Sequence, residues 1–191
     1  MENLNIKVDV VNFFAMRKLL FFCLFGITLT ACTDKAATLR ERLAALNNEF
    51  GGSSVTDKLK AEEYITVAGQ LADLVEKSAP DEYVEILIKA GGLAKTIGEP
   101  QKAIELYTKV TEKMPQHPQA STAYFMIGFI YANDLKDLGK GKAAFELFLE
   151  KYPNDEMAES ARGELRNLGK SPEEVLKEFL QNSPDSSNAV Q

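Results

Sequence analysis

Tryptophan is absent from the 191 residues, histidine occurs once, at His117, and cysteine twice, at Cys23 and Cys32. Chemistry that needs converging imidazoles or thiolates has almost no raw material, so a zinc site, a Ser-His-Asp triad and a disulfide framework are not expected. Basic excess is missing too. With 22 Lys and Arg against 28 Asp and Glu, the formal charge is −6, and a nucleic-acid partner, whose phosphates must be neutralised by cations, is not expected. What is present, 45% hydrophobic and 26% charged residues, suits one folded domain or a short repeat array rather than a disordered or polytopic membrane chain.

Long apolar runs are also scarce. Arg17 and Lys18 precede the eleven-residue uncharged run from Leu19 to Leu29, the basic and apolar regions of a secretory signal. Crossing a bilayer takes roughly 20 apolar residues, so the run is too short to span. It ends in Leu29-Thr30-Ala31-Cys32, which resembles the lipobox of bacterial lipoproteins. The resemblance implies cleavage after Ala31, a diacylglycerol on the Cys32 thiol and an acyl chain on its new amino terminus. Cys23 leaves with the signal. Several acyl chains, at about 0.8 kcal/mol per buried methylene, anchor stably where one does not.

Glu2 and Asp9 put acid where a signal is basic, so translation is expected to start at Met16, with residues 1–15 upstream of it. Residues 1–31 are therefore read as signal, 32–37 as a lipidated tether, 38–180 as a helical domain and 181–191, rich in Ser, Asn and Asp, as a disordered tail. Removing residues 1–31 leaves 19 basic and 26 acidic side chains.

Beyond Cys32 no stretch alternates with period two, whereas apolar residues recur at spacings of three and four, predicting an all-α domain. The expected helices cover Ala36–Phe50, Thr56–Ser78, Asp81–Ile97, Pro100–Lys113, Pro118–Leu135, Gly141–Lys151, Glu156–Leu168 and Pro172–Leu180. Gly51-Gly52-Ser53-Ser54 stops the first, and Gly98 and Gly169 sit where a helix end wants a left-handed residue. Ser171-Pro172-Glu173-Glu174 supplies an N-cap, a first-turn proline and a capping-box glutamate.

Self-similarity sets the architecture. Ala103, Tyr107, Val110 and Pro115 repeat as Gly141, Phe145, Phe148 and Pro153. Upstream, Leu87, Ala90, Gly91 and Ala94 correspond to Tyr124, Ile127, Gly128 and Tyr131. Ala68, Ala72, Val75 and Pro80 form a weaker third match whose preceding helix is not recognisable. These patterns resemble tetratricopeptide repeats over about residues 57–168, with Tyr152-Pro153-Asn154-Asp155 similar to the repeats of bacterial periplasmic lipoproteins. The implied fold is a short right-handed superhelix of antiparallel helix pairs, a TPR-like solenoid. Gly91 and Gly128 are expected to let the two helices of a pair approach backbone to backbone. Proline spacings of 35 and 38 residues, against a period of about 34, require extra residues near 116–120 and 135–140.

Family positions on the concave wall map to Glu85, Ile88, Gly92, Lys95 and Thr96, and to Thr122, Phe125, Phe129, Ala132 and Asn133. Phe125 and Phe129, four apart, share a face; they either hold an apolar segment of a partner or join the core. His117, between Pro115 and Pro118, reads as a solvated turn residue. Glu62, Glu63, Asp134 and Asp137 read as outward charge on lysine-interleaved faces. Gly139-Lys140-Gly141-Lys142 has no preceding strand and reads as a turn between two helices, not a phosphate loop.

The resemblance implies a non-catalytic scaffold that binds protein partners in a cell-envelope complex, such as one of outer-membrane β-barrel assembly or envelope maintenance. Asp34, two residues after Cys32, resembles outer-membrane sorting in some bacteria, and the expected location is that membrane, facing the periplasm. No metal, cofactor or small-molecule substrate is expected apart from the lipid on Cys32. The alternative function is self-association, with the groove filled by a second copy.

Overall fold

The computed structural model describes residues 35–49 and 57–182, and every regular element among them is helical. The signal, Met16, Cys32, the breaker at 51–54 and the segment 183–191 lie outside the described residues. In chain order the elements are α1 (35–49), α2 (Lys58–Val75), α3 (Pro80–Thr96), α4 (Pro100–Lys113), α5 (Ala120–Phe129) with a π-helical turn at Ile130–Asp134, α6 (Leu138–Lys151), α7 (Ala158–Asn167) and α8 (Pro172–Asn182).

Local chemistry sets their ends. Asp57 and Asp137 accept from the main-chain N–H groups of Lys60 and Lys140, capping α2 and α6. Pro80, Pro100 and Pro172 open α3, α4 and α8, where the missing N–H has no intrahelical partner to lose. Gly98 and Gly169 have φ of 79° and 80°, the left-handed geometry that lets the chain leave α3 and α7. At Ser171 the reciprocal capping box forms: Ser171 N–H donates to Glu174 Oε2 at 2.7 Å, and Glu174 N–H to Ser171 Oγ at 3.2 Å.

The helices pair consecutively into an all-α, TPR-like solenoid. The first helices α1, α3, α5 and α7 form one row, tied by Arg40 to Glu82 at 2.6 Å, Lys95 to Asp134 at 3.5 Å and Asn133 to Glu164 at 3.4 Å. The second helices form the other row, where Lys109 of α4 meets Asp73 of α2 at 3.5 Å. Tyr124 and Tyr152 add cross-links by donating to the carbonyls of Thr111 and Pro115. The helix missing from the weakest repeat is α1. It buries Leu43 and Leu46 in the same core as Tyr64, Leu71 and Leu87, and Arg42 reaches Glu63 of α2.

Apolar burial holds the rows together. Tyr83, Val84, Leu87, Ala90, Leu106, Tyr107 and Val110 are 0–2% exposed, and each fully buried large side chain contributes about 1.5–3 kcal/mol. A second cluster, under α5, α6 and α7, centres on Phe145 and Phe148 with Ala158 and Ala161.

The expected backbone contact at Gly91 and Gly128 is corrected. A Cβ on Gly91 would lie 2.8 Å from Tyr107 Cζ, and one on Gly128 2.9 Å from Phe145 Cδ1. In each pair it is an aromatic ring of the second helix, not its backbone, that occupies the space the glycine leaves. The backbone approach occurs instead at Gly141, where a Cβ would lie 2.9–3.0 Å from the Cβ, Cα and N of Ala132.

The turn before Gly141 accounts for the longer spacing from Pro115 to Pro153. The extra length near 135–140 is taken up by the π turn, closed by Leu135 N–H to Ile130 C=O at 3.0 Å, and by Lys136 at φ 55°. The widened turn presses the Ala132 main chain onto α6, and only glycine fits at position 141.

Candidate partner-binding groove

The row of first helices carries the residues expected to face a partner, but the fold distributes them among three neighbourhoods. Between α1 and α3, Glu85 lines a shallow groove of about 220 Å³ with Arg40, Asn47, Glu82 and Lys89 over an apolar floor of Leu43 and Leu71. Ile88 is half-buried against the first core cluster, and Thr96 Oγ1 donates to Gly92 C=O at 2.9 Å, which turns that side chain back along its own helix.

Between α3 and α5 the structure brings three groups together. Lys95 Nζ stands 5.1 Å from the centroid of Phe129 and 3.5 Å from Asp134 Oδ2. One ammonium thus touches both a π face and a carboxylate, which holds it in place while leaving it 28% exposed. Asp134 was missed as a site residue. Its side chain reaches the wall because the π turn rotates it toward α3, a change that a 3.6-residue period does not register.

Phe125 and Phe129 do share a face, with centroids 6.4 Å apart. Phe125 also meets Phe145 at 5.6 Å and Phe148 at 5.8 Å, edge to face. Its ring is the bridge between the wall and the core beneath, and Phe129 is the ring on the wall beside Lys95. Thr122 lies half-buried one turn before Phe125 on α5.

Between α5 and the C-terminal helices, Asn133 donates to Glu164 and borders a larger groove of about 810 Å³. Its apolar lining comes from Leu138, Leu168, Val175, Leu176 and Phe179, with Lys136 and Lys170 also on the lining. This groove went unforeseen because it depends on where α8 stands, which no local pattern states.

The other polar residues singled out from sequence have structural partners. His117 is not a solvated turn residue. Its side chain is 15% exposed, its Nδ1 accepts from Gln119 N–H at 3.1 Å, and its Nε2 lies 3.1 Å from Asp81. The imidazole pins the α4–α5 turn to the start of α3. Glu62 pairs with Lys58, Glu63 with Arg42 and Asp137 with Lys140; the cap and the ion pair hold the Asp137 carboxyl below its ordinary range. Asp134 does not face outward but across to Lys95.

Among the described residues no three His, Cys, Asp or Glu side chains are grouped to hold a metal ion. No helix among them is long and apolar enough to cross a membrane. Burial pushes the hydroxyls of Tyr64, Tyr83 and Tyr107 up to about 12, which marks them as core residues with no acid–base duty near neutral pH.

Residues 122–155 match the tetratricopeptide repeat family. That segment runs from the wall of α5 through the π turn and α6 to Asp155, and so contains Phe125, Phe129, Asn133 and Asp134. No curated protein matches the chain. The repeat is a protein-interaction module and generally a non-catalytic one, and this chain carries it within an all-α solenoid of the same kind.

Proposed function

We propose that the chain is a lipid-anchored scaffold on the periplasmic side of the outer membrane, which grips a protein partner of an envelope complex along the row of its first helices. The observation that carries the binding role is the meeting of Lys95, Phe129 and Asp134 on the wall of a unit matched to the tetratricopeptide family. A partly exposed ring beside a paired ammonium offers an apolar surface and a charge at one place, the combination that reads a peptide's side chain and fixes its orientation. Glu85, Ile88, Thr122 and Asn133 extend the contact to either side, with Phe125 supporting Phe129 from below.

The anchor rests on Leu29-Thr30-Ala31-Cys32 after a short apolar run. A covalent diacylglycerol and an N-acyl chain on Cys32 provide the membrane attachment, and the helical domain needs no cofactor.

Two measurements test the two halves. Metabolic labelling with a palmitate analogue is expected to mark the wild-type chain and not Cys32→Ser; equal labelling, or none in either, removes the anchor. Affinity purification from detergent-solubilised envelopes is expected to lose its co-purifying proteins in Lys95→Glu/Phe129→Ser, with helical circular dichroism retained. Unchanged recovery places binding elsewhere.

A further inference from the structure

Nothing in the residues of the π turn requires it. Ile130-Tyr131-Ala132-Asn133-Asp134-Leu135-Lys136 contains no proline or glycine, so local propensity allows α5 to run on with ordinary i→i−4 bonding. Instead Leu135 N–H donates to Ile130 C=O at 3.0 Å and Asp137 N–H to Tyr131 C=O at 2.8 Å, both reaching further back than an α-helical bond. Lys136 then leaves the turn at φ 55°, the only positive φ outside glycine among the described residues. Two rare backbone states in succession persist only where the surroundings over-determine them, and such places cluster at functional sites.

The contacts that hold the turn come from behind the wall. On the α6 side Gly141 admits the Ala132 main chain, since an added Cβ would lie 2.9–3.0 Å from Ala132 Cβ, Cα and N. Asp137 caps α6 by accepting from Lys140 N–H at 3.0 Å, and Lys140 Nζ lies 5.3 Å from the centroid of Tyr131 within the turn. On the wall side the same turn delivers Asn133 to Glu164 of α7 at 3.4 Å and Asp134 to Lys95 of α3 at 3.5 Å. A π turn takes one more residue into each closure than an α turn does. Reverting to α bonding would therefore rotate Asp134 about the axis of α5 and away from Lys95. The ammonium would lose the carboxylate that helps hold it 5.1 Å from the centroid of Phe129.

We propose that Gly141 is a positioning residue for the partner-binding wall. By making room for the Ala132 main chain it keeps the π turn in place, and the turn sets Asp134 against Lys95, so that the ammonium stands over Phe129 before a partner arrives. A residue of a second helix, with no place on the wall, thus fixes the wall's charge geometry. This role rests on the reading of the Lys95–Phe129 wall as the docking surface, but the positioning itself can be measured without a partner.

The test is NMR of the full-length chain in detergent with carbon-13-labelled lysine, Lys95→Arg identifying the signal. The ring of Phe129 is expected to move the Lys95 ε-methylene upfield of its position in Phe129→Leu. That displacement is expected to be lost in Asp134→Asn and in folded Gly141→Ala. Lys136→Val reaches the turn without touching Gly141, because a β-branched residue does not readily take a positive φ. It is expected to lose the displacement too, whereas Lys136→Gly, which takes that φ freely, keeps it. Lower stability alone leaves the signal of the folded chain unmoved, so a merely structural glycine gives the wild-type position in every Gly141 and Lys136 variant. A wild-type signal in folded Gly141→Ala overturns the proposal, and where that variant does not fold, a wild-type signal in Lys136→Val does so. No upfield displacement in the wild-type chain overturns it as well. If the displacement behaves as expected while Lys95→Glu/Phe129→Ser still recovers its partners, the positioning stands and the docking reading fails.

Discussion

The ring of Tyr107 sits where the side chain of residue 91 would begin: a Cβ on Gly91 would be 2.8 Å from Tyr107 Cζ and 2.9 Å from Cε1. Phe145 stands in the same relation to Gly128 one repeat later. The pairs α3–α4 and α5–α6 are thus each locked by an aromatic knob in a hole made by an absent methyl group. The two aromatics are 2% and 0% exposed, so neither has room to swing away.

It follows that Gly91→Ala and Gly128→Ala are destabilising even though alanine is the better helix former. Overpacking of this kind costs about 1–3 kcal/mol, which outweighs a propensity gain of about 0.8–1 kcal/mol. Gly69, inside α2, has nothing within 4 Å of an added Cβ. Gly69→Ala is expected to stabilise by close to the full propensity difference. Urea unfolding of the three variants checks the sign in each case, and a stabilised Gly91→Ala would show that the ring is not held.

Gly141 presents a harder obstacle. Its added Cβ meets the Ala132 main chain, which cannot change rotamer to escape. Gly141→Ala is therefore expected to be destabilised at the top of the same range of about 1–3 kcal/mol or beyond it. Amide hydrogen exchange is expected to localise the loss to the π turn at Ile130–Asp134 and the first turn of α6, leaving α2 and α3 protected.

Alkaline pH should unfold the chain through its core tyrosines. Tyr64, Tyr83 and Tyr107 are raised from 10.0 to about 12, chiefly by burial. Because the folded value lies above the unfolded one, the folded state binds the phenolic proton more tightly. Its contribution is whole below pH 10.0 and is lost as pH rises toward about 12. Helical circular dichroism followed together with tyrosinate absorbance is expected to fall within that window. Tyr107→Phe, which removes the ionising group and keeps the ring on Gly91, should shift the midpoint upward.

Lys95 and Asp134 lie on the surface at 28% and 30% side-chain exposure, so their pairing is weak and screened. A double-mutant cycle with Lys95→Met and Asp134→Asn is expected to give a coupling of about 0.2–1 kcal/mol at low salt, and less in 1 M salt. Stability should change little. Partner recovery should change more, because the pair holds the ammonium over Phe129.

Much of this organisation is written in local spacing. A small residue, an aromatic and an apolar residue at 103, 107 and 110, and again at 141, 145 and 148, fix which side of α4 and α6 is buried, since side chains three and four apart on a helix must share a face. Prolines, glycines and the Ser171 box mark helix ends because they act on the backbone of the residues that carry them. The first-row wall, with Lys95 and Phe129 on it, came from the resemblance to tetratricopeptide repeats, whose inward positions map onto these residues. The π turn was not legible. It was visible only as excess length, and its consequence, Asp134 turned toward α3, depends on a hydrogen-bond shift that leaves no pattern in residue type.

The sequence by itself determined the helical class, the repeat and its punctuation, because these rest on interactions within a few residues. Only the tertiary structure decided that rings rather than backbones fill the gaps at Gly91 and Gly128, that α1 completes the first pair, and that α8 forms one wall of a groove. Those outcomes depend on how elements distant in the chain meet, where the shape of the facing surface, not the local period, sets which arrangement has the lower free energy.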